Sequence, residues 1–234
     1  MSLVQTWRAP VFALVLAAPS AQAAQPLVTD DAAVVAPKTC QFEAGVRATR
    51  DNALWFAQPA CNFGGDVEWS AGAAHLSSDA DPSSTITQLQ VKAVLFRTAD
   101  GEASFGASAG ALRDTGAPHG SSAFQGYYAR GLASWYPRDD LEVDFNVGAA
   151  NVRGSGTYPL AGVAVTWTVI TGWQLLGEVF RDEPGPSKFQ LGFRSIVVPN
   201  RFEVYASCGN RFGRSSSGGF VVAGLRLQTP EFLP

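Results

Sequence analysis

The feature that most narrows the folds open to this chain is a two-residue alternation of apolar and polar side chains that recurs along its length. Leu141, Val143, Phe145, Val147 and Ala149 are interleaved with Glu142, Asp144, Asn146 and Gly148. Successive side chains of a strand point to opposite faces, so this run has one apolar and one polar face. Val67, Trp69, Ala71 and Ala73 repeat the pattern, as do Phe189, Leu191 and Phe193, then Phe202, Val204 and Ala206, then Val221, Ala223, Leu225 and Leu227. About twelve strands are predicted, at 40–48, 53–62, 66–75, 86–96, 102–112, 125–135, 141–150, 158–168, 173–181, 187–197, 202–211 and 219–228. Two are less regular: 86–96 places Val94 and Phe96 on its polar face, and 125–135 mixes Leu132 with Arg130. Most are near the roughly 9–11 residues of a tilted membrane strand. An even count returns both chain ends to one side.

Such a ladder suits a soluble sandwich or a membrane barrel, and the connections separate the two. Gly64-Gly65, Ala99-Asp100-Gly101, Pro137–Asp140, Ile170-Thr171-Gly172 and Pro199-Asn200-Arg201 are tight turns by residue type. The intervening connections, such as 77–85, 113–124 and 151–157, are mostly longer. Short periplasmic turns alternating with longer external loops are a barrel signature. Trp69, Trp135, Tyr136, Trp167, Trp173 and Phe202 cluster near the short turns, where an interfacial aromatic girdle would sit. Charged residues make up only 16% of the chain, and Lys38, Lys92 and Lys188 are its only lysines. Soluble sheets usually protect their edges with charge, whereas a barrel has no edges and needs an apolar outer face in lipid. A net charge of −3 with no basic run excludes a nucleic-acid partner.

Residues 1–24 read as a signal peptide: Arg8 as the positive flank, Val11–Ala18 as the apolar core, and Ala21-Gln22-Ala23 as the cleavage site. Residues 25–39 are expected to form an N-terminal periplasmic segment, and 40–234 the barrel. Thr29-Asp30-Asp31 either tucks into the lumen or hangs in the periplasm; the sequence leaves both open. The implied partners are outer-membrane lipids and the barrel-assembly machinery. If residues 49–52 form the first loop, Ala48 faces Ala53 and the register sets Cys40 opposite Cys61. Direct cross-strand neighbours have Cβ atoms within about 5.5 Å, so a disulfide is predicted there, in an oxidising compartment.

Pro26–Ala32, Thr39–Glu43, Pro59–Phe63, Val198–Phe202, Gly209–Gly213, Gly224–Leu227 and the tail Pro230–Pro234 resemble motifs of poorly characterised proteobacterial outer-membrane barrels related to the putative phenol-degradation meta-pathway barrels. The resemblance spans the mature chain. It implies a small outer-membrane barrel and suggests transport of hydrophobic or aromatic compounds. The tail differs from the common barrel ending in a terminal Phe, because Leu233-Pro234 follow Phe232.

On the inward face the pattern places Glu43, Arg47, Glu68, Lys92, Arg130, Glu142, Asp144, Glu178, Arg194, Glu203 and Arg226. These charges either lock across the lumen or line a narrow polar path. Glu142, Asp144 and Glu203 need positive partners or water, and Arg194 and Arg226 are the nearest candidates by strand order. The chain has two histidines, His75 and His119. A lipid hydrolase or acyltransferase would use His119 as base toward Ser121 or Ser122, but a Gly/Ser loop offers no rigid support for such a site. No catalytic constellation, metal-ligand spacing or cofactor fingerprint is present. The reading is a membrane barrel with a structural or narrow passive-transport role. A lipid-modifying enzyme and a soluble β-sandwich binding protein are the alternatives.

Overall fold

The computed structural model describes residues 27–78, 83–114, 124–213 and 218–233. Its elements are β1 (Thr39–Ala48), β2 (Asn52–Asn62), β3 (Val67–Ser78), β4 (Ser84–Arg97), β5 (Ala103–Asp114), β6 (Phe124–Arg138), β7 (Leu141–Val152), β8 (Gly156–Ile170), β9 (Trp173–Arg181), β10 (Lys188–Val198), β11 (Phe202–Arg211) and β12 (Phe220–Gln228). Each pairs antiparallel with its chain neighbours, and β1 also pairs with β12 to close the barrel. The soluble sandwich is thereby excluded. Several strands run past their predicted ends, β6 and β8 most clearly, because backbone pairing continues where the apolar alternation stops.

The alternation decides which face each residue takes. Val147, Leu191 and Leu89 are 70%, 65% and 67% exposed on the outer wall, while Glu68, Asp144 and Arg226 are buried inside. The irregularity of β4 has a specific cause. Its ladder with β5 shifts between Val94 and Phe96, and a bulge of this kind adds one residue to one strand. Val94 therefore stays buried while Leu95 and Phe96 are both exposed. At the seam, Gly45 of β1 faces Gly224 of β12. A Cβ on Gly45 would lie 2.7 Å from the Phe56 ring, and one on Gly224 would lie 2.5 Å from the Tyr205 hydroxyl. These glycines let two large side chains lie flat against the inner wall.

Cys40 and Cys61 are direct register partners joined by a disulfide, with Cα atoms 4.1 Å apart. Cys208 is a free, exposed thiol. Trp69, Trp135, Trp167 and Trp173 stand exposed on the outer wall near the short turns. The Trp167 indole N–H donates to Asp140 at 3.1 Å in the β6–β7 turn, and this bond is the main cause holding the Asp140 carboxyl below its ordinary range. Tyr136 corrects the expected girdle. Next to outward Trp135 it turns inward, beside Ser104, Glu142 and Arg194, because consecutive strand residues take opposite faces except at a bulge. Near the opposite rim Phe124 stacks on Tyr127, and Phe189 packs against Phe212. With Trp55 these form a second aromatic belt.

Candidate functional site: an occupied lumen

Residues 27–35 enter from the short-turn end and lie inside the barrel, with Leu27, Thr29, Asp31, Ala32, Ala33 and Val35 buried. Within the expected periplasmic segment over 25–39, residues 27–35 take the luminal placement, one of the two that the sequence leaves open for Thr29-Asp30-Asp31. The physical reason is a wall matched to the segment almost peptide by peptide. Glu178 accepts the N–H groups of Val28 and Thr29 on its two carboxylate oxygens, each at 2.8 Å. Asn146 accepts from the Asp30 N–H at 2.9 Å and donates back to the Asp30 carbonyl at 2.6 Å. Ser134 accepts from Ala32 and donates to Asp144. Glu68 accepts from Val35, whose carbonyl takes the Asn62 amide at 2.8 Å. Lys92 reaches Asp30 at 2.9 Å and Asp31 at 3.3 Å. An unpaired buried backbone group costs about as much as a lost hydrogen bond, so these side chains make burial of an irregular segment tolerable.

Shape follows the same logic. Leu27 packs with Ala164 and Leu176, and Val28 against a cluster of Phe180, Tyr205, Phe220 and Val222. Gly162 provides a niche: a Cβ there would lie 2.1 Å from the Thr29 Oγ1.

All eleven predicted lumen charges belong to the inward face of their strands, but their partners differ from expectation. Glu203 takes both arginines, Arg226 at 2.5 Å and Arg194 at 3.8 Å. Asp144 is held by Ser134 rather than by an arginine, and one oxygen of Glu142 is buried with no hydrogen bond. Tyr205 donates to Glu43 at 2.5 Å. Arg47 lies 4.0 Å above the Phe220 ring and 3.8 Å from Asp182. Arg130 lies over the Tyr128 ring, 5.0 Å from its centroid.

The segment and the Arg194–Glu203–Arg226 group divide the lumen. On the short-turn side is a chamber of about 760 Å³ reached by Ala33, Tyr136, Glu142, Arg194 and Glu203. On the long-loop side two adjoining spaces of about 320 and 210 Å³ share Gln58 and Gln88, with Phe56 and Arg47 in the larger and Gln90 and Arg130 in the smaller. Sequence reasoning missed Asn62, Ser134, Asn146, Gly162 and the glutamines. One signal was available: Leu132, Gly162, Ala164 and Leu176 occupy the nominally polar face, where small or apolar residues make sense only against something within the lumen. His75 points outward and bonds Thr85 at 3.0 Å rather than a serine. His119, Ser121 and Ser122, and the predicted signal peptide over 1–24, lie outside the described residues.

Fold and site together define a closed twelve-stranded antiparallel barrel whose lumen is occupied by the segment that precedes β1. The chain belongs to the family described as Uncharacterised conserved protein UCP029691, whose model matches residues 11–227. A comparison with curated proteins gave no match. Among solved structures the barrel is similar to the KdgM porin in complex with disordered oligogalacturonate, with TM-score 0.62, 12% identity, and coverage of 81% of this chain and 98% of that one. It is also similar to the COG4313 outer membrane channel from Pseudomonas putida F1, with TM-score 0.59, 10% identity, and coverage of 82% and 95%. The NanC porin gives TM-score 0.57 at 10% identity, covering 82% and 100%. At these identities the likeness is one of fold.

Proposed function

We propose that this protein is an exported outer-membrane channel with a narrow passive-transport role, held closed at rest by residues 27–35. In this reading lipid covers the apolar outer wall, the short turns face the periplasm, and the assembly machinery inserts the barrel. The observation that carries it is the fit between the wall and the segment. Glu178, Asn146, Ser134, Glu68 and Lys92 come from five strands and converge on one short peptide. A purely structural barrel could fill its lumen with side chains and would not need an element anchored without a single strand-to-strand ladder. The solutes are small and carry apolar surface, since Phe56, Leu54 and Ile86 share the outer chamber with glutamine amides. The kinship to phenol-degradation barrels suggested by the sequence agrees with this. Oligogalacturonate, the ligand named with KdgM, is the weaker reading here, because six of the eleven wall charges are carboxylates and Asp30 and Asp31 add two more.

Planar-bilayer recording of the purified protein tests the proposal. Wild type should show small, infrequent openings, and a variant lacking residues 27–35 should conduct steadily. Large, non-selective conductance by wild type, or no change on deletion, would refute a resting closure by this segment.

A further inference from the structure

The outer chamber contains a cation that the closure does not use. Lys92 is committed to Asp30 and Asp31, Arg226 and Arg194 to Glu203, and Arg47 and Lys188 to Asp182. Arg130 forms no ion pair among the described residues, and its Nε is buried without a hydrogen-bond partner. One face of its guanidinium rests on the Tyr128 ring, whose hydroxyl is fixed on Gln90. Its register partners are Ser108 on β5 and Gly148 on β7, so nothing bulky crowds it along the wall. Ser108 is 3% exposed and its Oγ also lacks a partner.

Beside this fork lies an apolar surface. Tyr128, Ala150 and Leu160 form a buried cluster, with Leu112, Val152 and Tyr158 packed against it. Most of these residues line the same 210 Å³ space as Arg130. At roughly 30 Å³ per water the space equals about seven waters, which suits a single-ring or short-chain molecule. The carboxylates bordering it are already engaged: Asp30 by Lys92, Asp182 by Lys188, Glu43 by Tyr205 and Glu68 by the Val35 N–H. They add negative potential but leave the Arg130 fork open. A guanidinium presents paired N–H donors that match a carboxylate, and stacking on a ring fixes the plane of the fork.

We propose that Arg130, Tyr128 and the adjoining Leu112–Tyr158–Leu160 surface form a recognition site for a compact apolar monocarboxylate, the acid group on Arg130 and the body on the apolar wall. This deepens the channel reading and rests on it for access from the long-loop side.

Isothermal titration of the detergent-solubilised mature protein tests the site without any transport, using benzoate, its neutral isostere benzamide and inorganic phosphate. Benzoate should bind, benzamide at least about tenfold more weakly, and phosphate no better than benzamide. Charge-assisted hydrogen bonds of this kind correspond to roughly 10- to 100-fold in affinity. Arg130→Gln should therefore lose benzoate binding by that factor, and Arg130→Lys should restore only part of it. Should Arg130→Gln fail to fold, wild-type protection serves instead: benzoate, but not benzamide, should slow phenylglyoxal modification of Arg130. Absence of benzoate binding, equal binding by Arg130→Gln, or tighter binding of phosphate would each overturn the site. Arg130-dependent binding combined with a failed bilayer test would leave the site standing and remove the channel. Conductance without benzoate binding would do the reverse.

Discussion

Gly162→Ala isolates the contact between the wall and the luminal segment. The three atoms nearest to the added Cβ all belong to Thr29: Oγ1 at 2.1 Å, Cβ at 3.1 Å and Cγ2 at 3.3 Å. The collision thus falls on the segment and leaves the strand pairing intact. Thr29 can turn Oγ1 aside only by leaving its rotamer, and its Cβ at 3.1 Å then asks the segment to give by a few tenths of an ångström. Adding a methyl to a packed site costs about 1–3 kcal/mol. At 1.4 kcal/mol per tenfold, docking of the segment should weaken roughly 5- to 140-fold. In planar bilayers the fraction of time spent conducting should rise by a comparable factor while wild type remains mostly closed. Gly131→Ala is the matched control, because its nearest neighbours, both from Val147, are 3.8 and 3.9 Å away. Adding Thr29→Ala to Gly162→Ala removes Oγ1 and Cγ2 and should restore much of the closure. Wild-type gating in Gly162→Ala, or failure of Thr29→Ala to correct it, would refute the claim that this niche holds the segment.

Two further outcomes follow from the wall itself. Val147→Arg places a guanidinium on the exposed outer face, where midplane Arg costs about 2–4 kcal/mol; urea unfolding of the lipid-embedded protein should detect that loss, and an unchanged midpoint would mean Val147 does not face lipid. Mass spectrometry of unreduced peptides should find Cys40 joined to Cys61, with Cys208 labelled by a lipid-soluble maleimide but not by a charged one. A free thiol at Cys40 would contradict the β1–β2 register.

Closure of the barrel was legible because its cause repeats. Residues such as Val143, Phe145 and Val147 each vote for the same face, and register then brings Cys40 to Cys61 without further information. Departures came from single residues that break the count. The extra residue at Leu95 moves Phe96 outward, and nothing in the alternation of 86–96 marks where a bulge falls. Proximity to a turn suggests the girdle for Tyr136, whereas its parity with Trp135 sets it inside. The luminal segment was harder, because its peptides are held by side chains from distant strands. Glu178 and Val28 are 150 residues apart, and no local propensity connects them. Ion-pair partners likewise depend on where that segment lies. Lys92 is visible as a lumen charge, but Asp30 and Asp31 are its partners only because the segment lies in the lumen.

The base of the segment is fastened by the end of β2 and by the stretch that follows β12. Lys38, in a left-handed conformation with φ of 62°, donates its N–H to the Asn62 carbonyl at 2.8 Å, and its carbonyl accepts the N–H of Phe232 at 3.0 Å. Phe232 follows β12, whose ladder with β1 closes the barrel, so this joint cannot be complete until the seam between β1 and β12 is made. Before then the segment lacks that fastening. Closing the cylinder therefore also sets the stopper, and a barrel that fails to close should be left with its first residues outside, open to proteases that the finished protein resists.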